Sequence, residues 1–134
     1  MKILLISSNS SSKGGGEYFI IFLARAFNKY YRKNISAIYS NREYMNDLVK
    51  RTKKYCLKTL RINYKQLSQR KLRFLSAFLD LKQVLITLNA IRKLRPNIII
   101  INQQYDEDGI DILLSAFLYK LIWSQYSIKL GSLI

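Results

Sequence analysis

Residues 1–27 read MKILLISSNSSSKGGGEYFIIFLARAF, and this stretch decides the fold class. Residues 3–6, ILLI, are a short unbroken apolar run between polar neighbours, the pattern of a strand buried on both faces. Residues 7–16 hold only Ser, Asn, Lys and Gly, a loop composition, and end on Gly14, Gly15 and Gly16. Glycine loses more conformational freedom on folding than any other residue, so three in succession point to main chain left bare for a close approach. From Glu17 the period changes. Phe19, Phe22, Leu23, Ala26, Phe27 and Tyr30 recur at spacings of three and four, which predicts an amphipathic helix with that stripe inward. Residues 35–39 supply a second strand. Strand, glycine loop, helix and strand make a βαβ unit, whose two strands run parallel.

The alternation continues along the chain. Residues 41–56 read as helical, with Tyr44, Leu48 and Val49 inward and Cys56 at the end, and residues 55–62 as a third strand. A longer helical region covers residues 66–94, where Phe78, Leu81, Leu85, Leu88 and Ile91 form one stripe with Val84 and Leu94 beside it. It stops at Arg95-Pro96, since proline disfavours helical geometry in the residue before it. Residues 97–102, NIIIIN, are β-branched without interruption, which predicts a central parallel strand. A polar tip follows, then a helix over residues 110–123 and a last strand over 126–130. No internal repeat occurs. The expected class is α/β with a mainly parallel sheet.

The totals bound what such a domain can do. A chain of 134 residues suits one domain, and 49% hydrophobic with 23% charged residues is a globular composition. With one cysteine, Cys56, no internal disulfide forms, and a cytoplasmic location is the default expectation. The absence of histidine removes Ser-His-Asp triads and histidine metal sites, and a lone thiol removes a thiolate zinc site, so no metal centre and no resident cofactor are expected. The longest unbroken apolar stretch, residues 18–24, is well short of the roughly 20 residues that span a bilayer. Against 8 acids stand 23 Lys and Arg, a net charge of +15, which attracts nucleic acid, anionic lipid headgroups or nucleotide ligands without choosing among them.

A glycine loop after the first strand of a parallel sheet lies at the carboxyl edge, where open α/β sheets bind ligands. The next helix offers free N–H groups and the positive end of its dipole, which suits phosphate. Neither common phosphate motif is present: no Gly-Lys-Ser/Thr follows, and position 19 is Phe where G-x-G-x-x-G needs glycine. Glu17 fits badly with a bare phosphate site if it points inward; as an early acidic residue it is expected instead to satisfy donors at the helix start.

Two blocks carry a resemblance. The opening 27 residues resemble the start of family 4 glycosyltransferases, whose first strand runs into Gly-Gly-x-Glu and an apolar helix. The segment RKLRPNIIIINQQYDEDGIDILLSAFL, residues 92–118, is similar to a later part of the same N-terminal domain. The resemblance implies a Rossmann-like three-layer domain, one half of a GT-B architecture and incomplete, spanning residues 1–134 as a truncated acceptor-side domain. It further implies a retaining enzyme that moves a sugar from a nucleotide-sugar to an acceptor. The nucleotide-sugar is co-substrate of the complete enzyme, and the isolated chain is inactive. Carried over by position, Gly14, Gly15 and Gly16 become the donor-phosphate loop and Glu17 the helix opening. Asn102, Gln103, Asp106 and Asp108 stand at the acceptor-side strand tip. Asn102 takes a place where relatives often carry histidine, and asparagine is no general base. No residue is assigned as catalytic. The partner implied is a C-terminal donor-binding half, in cis or in trans.

The remaining signal is a cationic run with no acid between Asp47 and Asp80: Lys50, Arg51, Lys53, Lys54, Lys58, Arg61, Lys65, Arg70, Lys71 and Arg73. Tyr55, Tyr64 and Phe74 interleave. The run suits an anionic membrane surface on the cytoplasmic side. It equally suits a nucleic-acid backbone with aromatic stacking platforms, the alternative being a small basic nucleic-acid-binding α/β module. It also reads as a solvated helix face.

Overall fold

Every residue of the first strand, ILLIS, is buried, so this strand must be covered above, below and on both sides. The computed structural model, which describes residues 1–8, 15–31, 34–64, 80–103 and 109–131, supplies that cover. Its elements are β1 (Ile3–Ser7), α1 (Gly15–Tyr31), β2 (Ile35–Ser40), a 3-10 turn (Glu43–Met45) leading into α2 (Asn46–Thr52), β3 (Lys58–Ile62), α3 (Leu81–Leu94), β4 (Ile98–Asn102) and α4 (Ile110–Gly131). The strands form one sheet in the order β3-β2-β1-β4. All three pairings are parallel, with Ile3 beside both Ile35 and Ile98 and Ser7 beside Asn102. The chain is a Rossmann-like three-layer α/β domain.

Alternation along the strands builds the layers, because successive side chains leave opposite faces. Ile3 and Leu5 of β1, with Ile35, Ala37 and Tyr39 of β2, pack under α1 and α2 against Ile20, Ala24, Leu48 and Val49. Leu4 and Ile6, with Ile38 and Ile62, meet Ala90, Ile91 and Leu94 of α3 and Ile112 and Tyr119 of α4 on the other face. Asp80 caps α3 through a side-chain oxygen that accepts from the Gln83 amide at 3.0 Å.

Four expectations need correction. The α1 stripe is partly turned: Leu23 and Phe27 pack against the core as expected, but Phe19, Phe22 and Tyr30 are 52%, 64% and 73% exposed, while Glu17, Ile20 and Ala24 are buried. Both stripes have helical spacing, and the small Ala24 lets the helix sit close to the sheet. On α3 the inward face is Val84, Thr87, Ala90, Ile91 and Leu94, so Leu81 and Leu85 point out. The β4 strand ends the described sheet instead of lying at its centre, and its isoleucines are only partly buried. Finally, residues 126–130 continue α4 and do not form a strand. No proline or glycine interrupts the chain between Gly109 and Gly131, so nothing stops that helix.

Two buried acids of weak type sit under α2. The Thr52 hydroxyl donates to the Leu48 carbonyl at 2.8 Å, which leaves Tyr39 to donate to Thr52, also at 2.8 Å. Burial is the chief cause that pushes the Tyr39 phenol up from 10.0 to about 12, and burial alone pushes Cys56 from 9.0 to about 12. The unfolded chain releases these protons at about 9 and 10, and the folded chain holds them to about 12. Their contribution to stability is therefore complete below pH 9 and falls as pH rises from there to 12. Urea midpoints measured across that window should decline, and the decline should be shallower in a Tyr39→Phe/Cys56→Ala variant.

Candidate ligand site at the carboxyl edge of the sheet

Helices α1 and α4 leave the carboxyl ends of adjacent strands in opposite directions. The chain runs β1, β2, β3 to one side and then returns to place β4 on the other side of β1. The crevice outside β1 and β4 is thus the topological switch point, the standard ligand position in open parallel sheets. Its floor is the paired tips Ser7 and Asn102, extended by the Ser8 amide donating to the Asn102 carbonyl at 3.0 Å.

Buried polarity collects at this edge. Ser7, Ser8 and Ser40 end or follow strands, while Glu17, Gln83 and Asp111 lie in first turns of helices, and all six are buried. The Ser8 hydroxyl has no hydrogen-bond partner among the described residues. The Gln83 side-chain nitrogen at this edge is likewise buried without a partner among the described residues. Asp111 accepts from the Ile112 amide at 3.0 Å, and Ser115 donates to the Asp111 carbonyl at 2.6 Å, which holds the start of α4 rigid.

Gly109 fits the crevice to its neighbours. Its φ of +84° lies in the left-handed region, and a Cβ there would stand 3.0 Å from the Ser8 Cβ and 3.5 Å from the Gln103 Nε2. The β1 tip, the β4 tip and the start of α4 therefore touch through a position that only glycine fills without strain.

Gly15 and Gly16 belong to the first turn of α1, where residues 7–16 were expected to form a loop. Gly14 lies outside the described residues, as do Asp106 and Asp108. Glu17 is buried in the first turn of α1, two residues after the helix starts; burial is the main cause that raises the Tyr39 and Tyr44 phenols, and the Glu17 charge adds to it. Asn102 and Gln103 are at the strand tip, half-buried and exposed. Ser8, Gly109 and Asp111 were missed by sequence reasoning. Only the Asp-Gly dipeptide at 108–109 signals a turn there, and the contact with Ser8 appears once β4 is known to pair with β1.

The described members of the cationic run lie on several elements. Arg51 is paired with Asp47 at 3.1 Å and lies over the Tyr18 ring at 5.9 Å. Arg61 is used structurally, donating to Asn46 Oδ1 at 2.5 Å and to the Arg42 carbonyl at 2.7 Å. Lys50, Lys53 and Lys54 are exposed on and after α2, and Lys58 opens β3 at the opposite edge of the sheet. Lys65, Arg70, Lys71 and Arg73 lie outside the described residues, as does Phe78.

No protein-family model matches the chain, and no curated protein or solved structure matches it. Among the described residues no group of three His, Cys, Asp or Glu side chains could hold a metal ion, and no helix is long and apolar enough to cross a membrane.

The glycine that joins these tips gives a direct check. Gly109→Ala should lower unfolding free energy by about 1–2 kcal/mol for the left-handed backbone alone. The Ser8 contact should add to that loss. A denaturant titration in which the variant matched the parent would refute this packing.

Proposed function

We propose that the chain is the acceptor-side half of a retaining glycosyltransferase of the GT-B kind, resembling family 4, that works with a donor-binding half in cis or in trans. The observation that carries this reading is the coincidence of a glycine-opened helix with the switch point between β1 and β4. A helix that starts on Gly15 and Gly16 at this edge offers the positive end of its dipole there, with the buried Glu17 carboxylate in the same first turn. When a nucleotide-sugar loses its sugar, negative charge grows on the departing diphosphate. Fixed N–H groups aimed at that charge favour the transition state over the ground state.

The other half of the rim serves the acceptor. Asn102 and Gln103 offer amide donors and acceptors to sugar-type hydroxyls, and neither takes up a proton at neutral pH. Their role is to position, not to act as bases. Ser8, whose hydroxyl is buried without a partner among the described residues, lies beside this rim. The diphosphate end and the hydroxyl end thus address the two flanks of one cleft.

Amide chemical-shift mapping tests the assignment. Titration of the labelled chain with UDP-glucose and GDP-mannose should move Ser8, Gly15, Gly16 and Gln103, weakly, because the donor half is not supplied. Rim amides that stay still through millimolar ligand, whatever happens elsewhere, would overturn the reading. Turnover of either donor by this chain unaided would also contradict it.

A further inference from the structure

The charges of this protein are sorted along the strand axis. The five described acids, Glu17, Glu43, Asp47, Asp80 and Asp111, precede or open helices and so lie toward the carboxyl edge. The amino edge carries Lys2, Lys58, Arg92, Lys93, Arg95 and Lys120, all exposed. Local hydrogen bonds gather them. The Lys2 carbonyl accepts from the Asn97 and Ile98 amides at 2.9 and 3.1 Å, and the Lys2 amide donates to Asn97 Oδ1 at 2.7 Å. Lys120 donates to the Asn97 carbonyl.

A groove of about 580 Å³ opens at this edge between α3 and α4. Arg92, Lys93 and Arg95 form its cationic side, and Leu88, Tyr119 and Ile122 its apolar side. A smaller cavity of about 100 Å³ shares Lys93 and Arg95 and carries the basic lining on to Lys2 and Lys58. Among the described residues, Arg92, Lys93 and Arg95 pair with no carboxylate. Arg95 ends α3 with φ 49° and ψ 58°, a left-handed position normally given to glycine. Placing arginine there costs about 1–2 kcal/mol of backbone strain, which a role for the side chain explains.

The groove continues into an apolar stripe. Leu81, Leu85, Leu88 and Arg92 follow at spacings of four, three and four, so they share one face of α3. Leu81 and Leu85 are 65% and 57% exposed, and Leu121 and Ile122 of α4 are 44% and 46% exposed. Aliphatic side chains beside a cationic cluster are the make-up of a helix that lies in a bilayer interface. A single-stranded nucleic acid would want exposed rings for stacking, and the ring lining this groove, Tyr119, is 4% exposed with its hydroxyl turned to the Pro96 carbonyl at 3.4 Å; a duplex would leave the exposed leucines beside the cations unused.

We propose that the amino-edge groove and the outer face of α3 dock this chain on an anionic phospholipid bilayer. Arg92, Lys93 and Arg95 hold lipid phosphates, and Leu81, Leu85 and Ile122 enter the interface. The cationic end of this surface lies at the amino edge, away from the carboxyl-edge crevice, and the proposal stands or falls independently of the reading of that crevice.

Co-sedimentation with phosphatidylcholine vesicles, with and without phosphatidylglycerol, tests this. The parent should bind only the anionic vesicles. R92Q/K93Q/R95G should bind them roughly a hundred-fold more weakly, the order expected for three charges lost near an anionic surface. Glycine at 95 keeps the helix end in its preferred conformation. K50Q/K53Q/K54Q, which removes equal charge elsewhere, should bind within a few-fold of the parent. L81Q/L85Q, at exposed positions and without change of charge, should weaken vesicle binding several-fold and leave binding to duplex DNA unchanged. Equal losses in the two charge variants would overturn the proposal, as would vesicle binding insensitive to L81Q/L85Q. Loss of DNA binding in R92Q/K93Q/R95G with vesicle binding intact would assign the groove to nucleic acid instead.

Discussion

The constraint on which the rest depends is the complete burial of β1. A five-residue strand with no exposed side chain needs helices on both faces and a hydrogen-bonded strand at each side. Parallel neighbours can reach it only by helical crossovers, so the layers, the alternation of elements and the position of both edges follow from that one requirement. Placing β2 and β4 on opposite sides of β1 then creates the switch point, and the crevice is a consequence of how the centre of the sheet is enclosed.

Much of this was legible in the order of residues. ILLI between polar neighbours, the glycine loop and the NIIIIN run each announced an element by composition, and the strands over residues 35–40 and 58–62 fell where β-branched and apolar residues cluster. What the sequence concealed was direction. On α1 and α3 apolar residues lie on more than one face, and periodicity cannot say which part meets the sheet; on α1 Phe22 is exposed while Ala24 is buried, and on α3 Leu81 and Leu85 point out while Val84, Ile91 and Leu94 are buried. The NIIIIN strand reads as central because it is apolar throughout, yet its place in the sheet is fixed by pairing with β1, which no local pattern records. The rim was half legible for the same reason. Gly15, Gly16, Asn102 and Gln103 are marked by loop composition, whereas Ser8 and Gly109 meet only after distant strands pair.

The two edges of the sheet differ in chemistry because all crossovers run the same way. Each helix starts at the carboxyl edge and ends at the amino edge, so dipole preferences place acids at one and bases at the other. In a chain of net charge +15 this concentrates cations at Arg92–Arg95 and leaves the carboxyl rim with buried hydroxyls, amides and the carboxylates of Glu17 and Asp111. One surface suits a broad anionic plane and the other a discrete polar ligand. The linear run of bases at 50–73 was the louder signal in the sequence, and topology redirects attention to residues scattered over four segments.

The claim that everything else requires is that β1 lies between β2 and β4 with all three parallel. Interstrand nuclear Overhauser effects on the labelled chain read this directly. Contacts from Leu5 to both Ala37 and Ile100, and from Ser7 to Asn102, in the pattern of parallel pairs, are the result expected here. Contacts placing residues 98–102 antiparallel to β1, or beside β3, would remove the switch point and contradict the account.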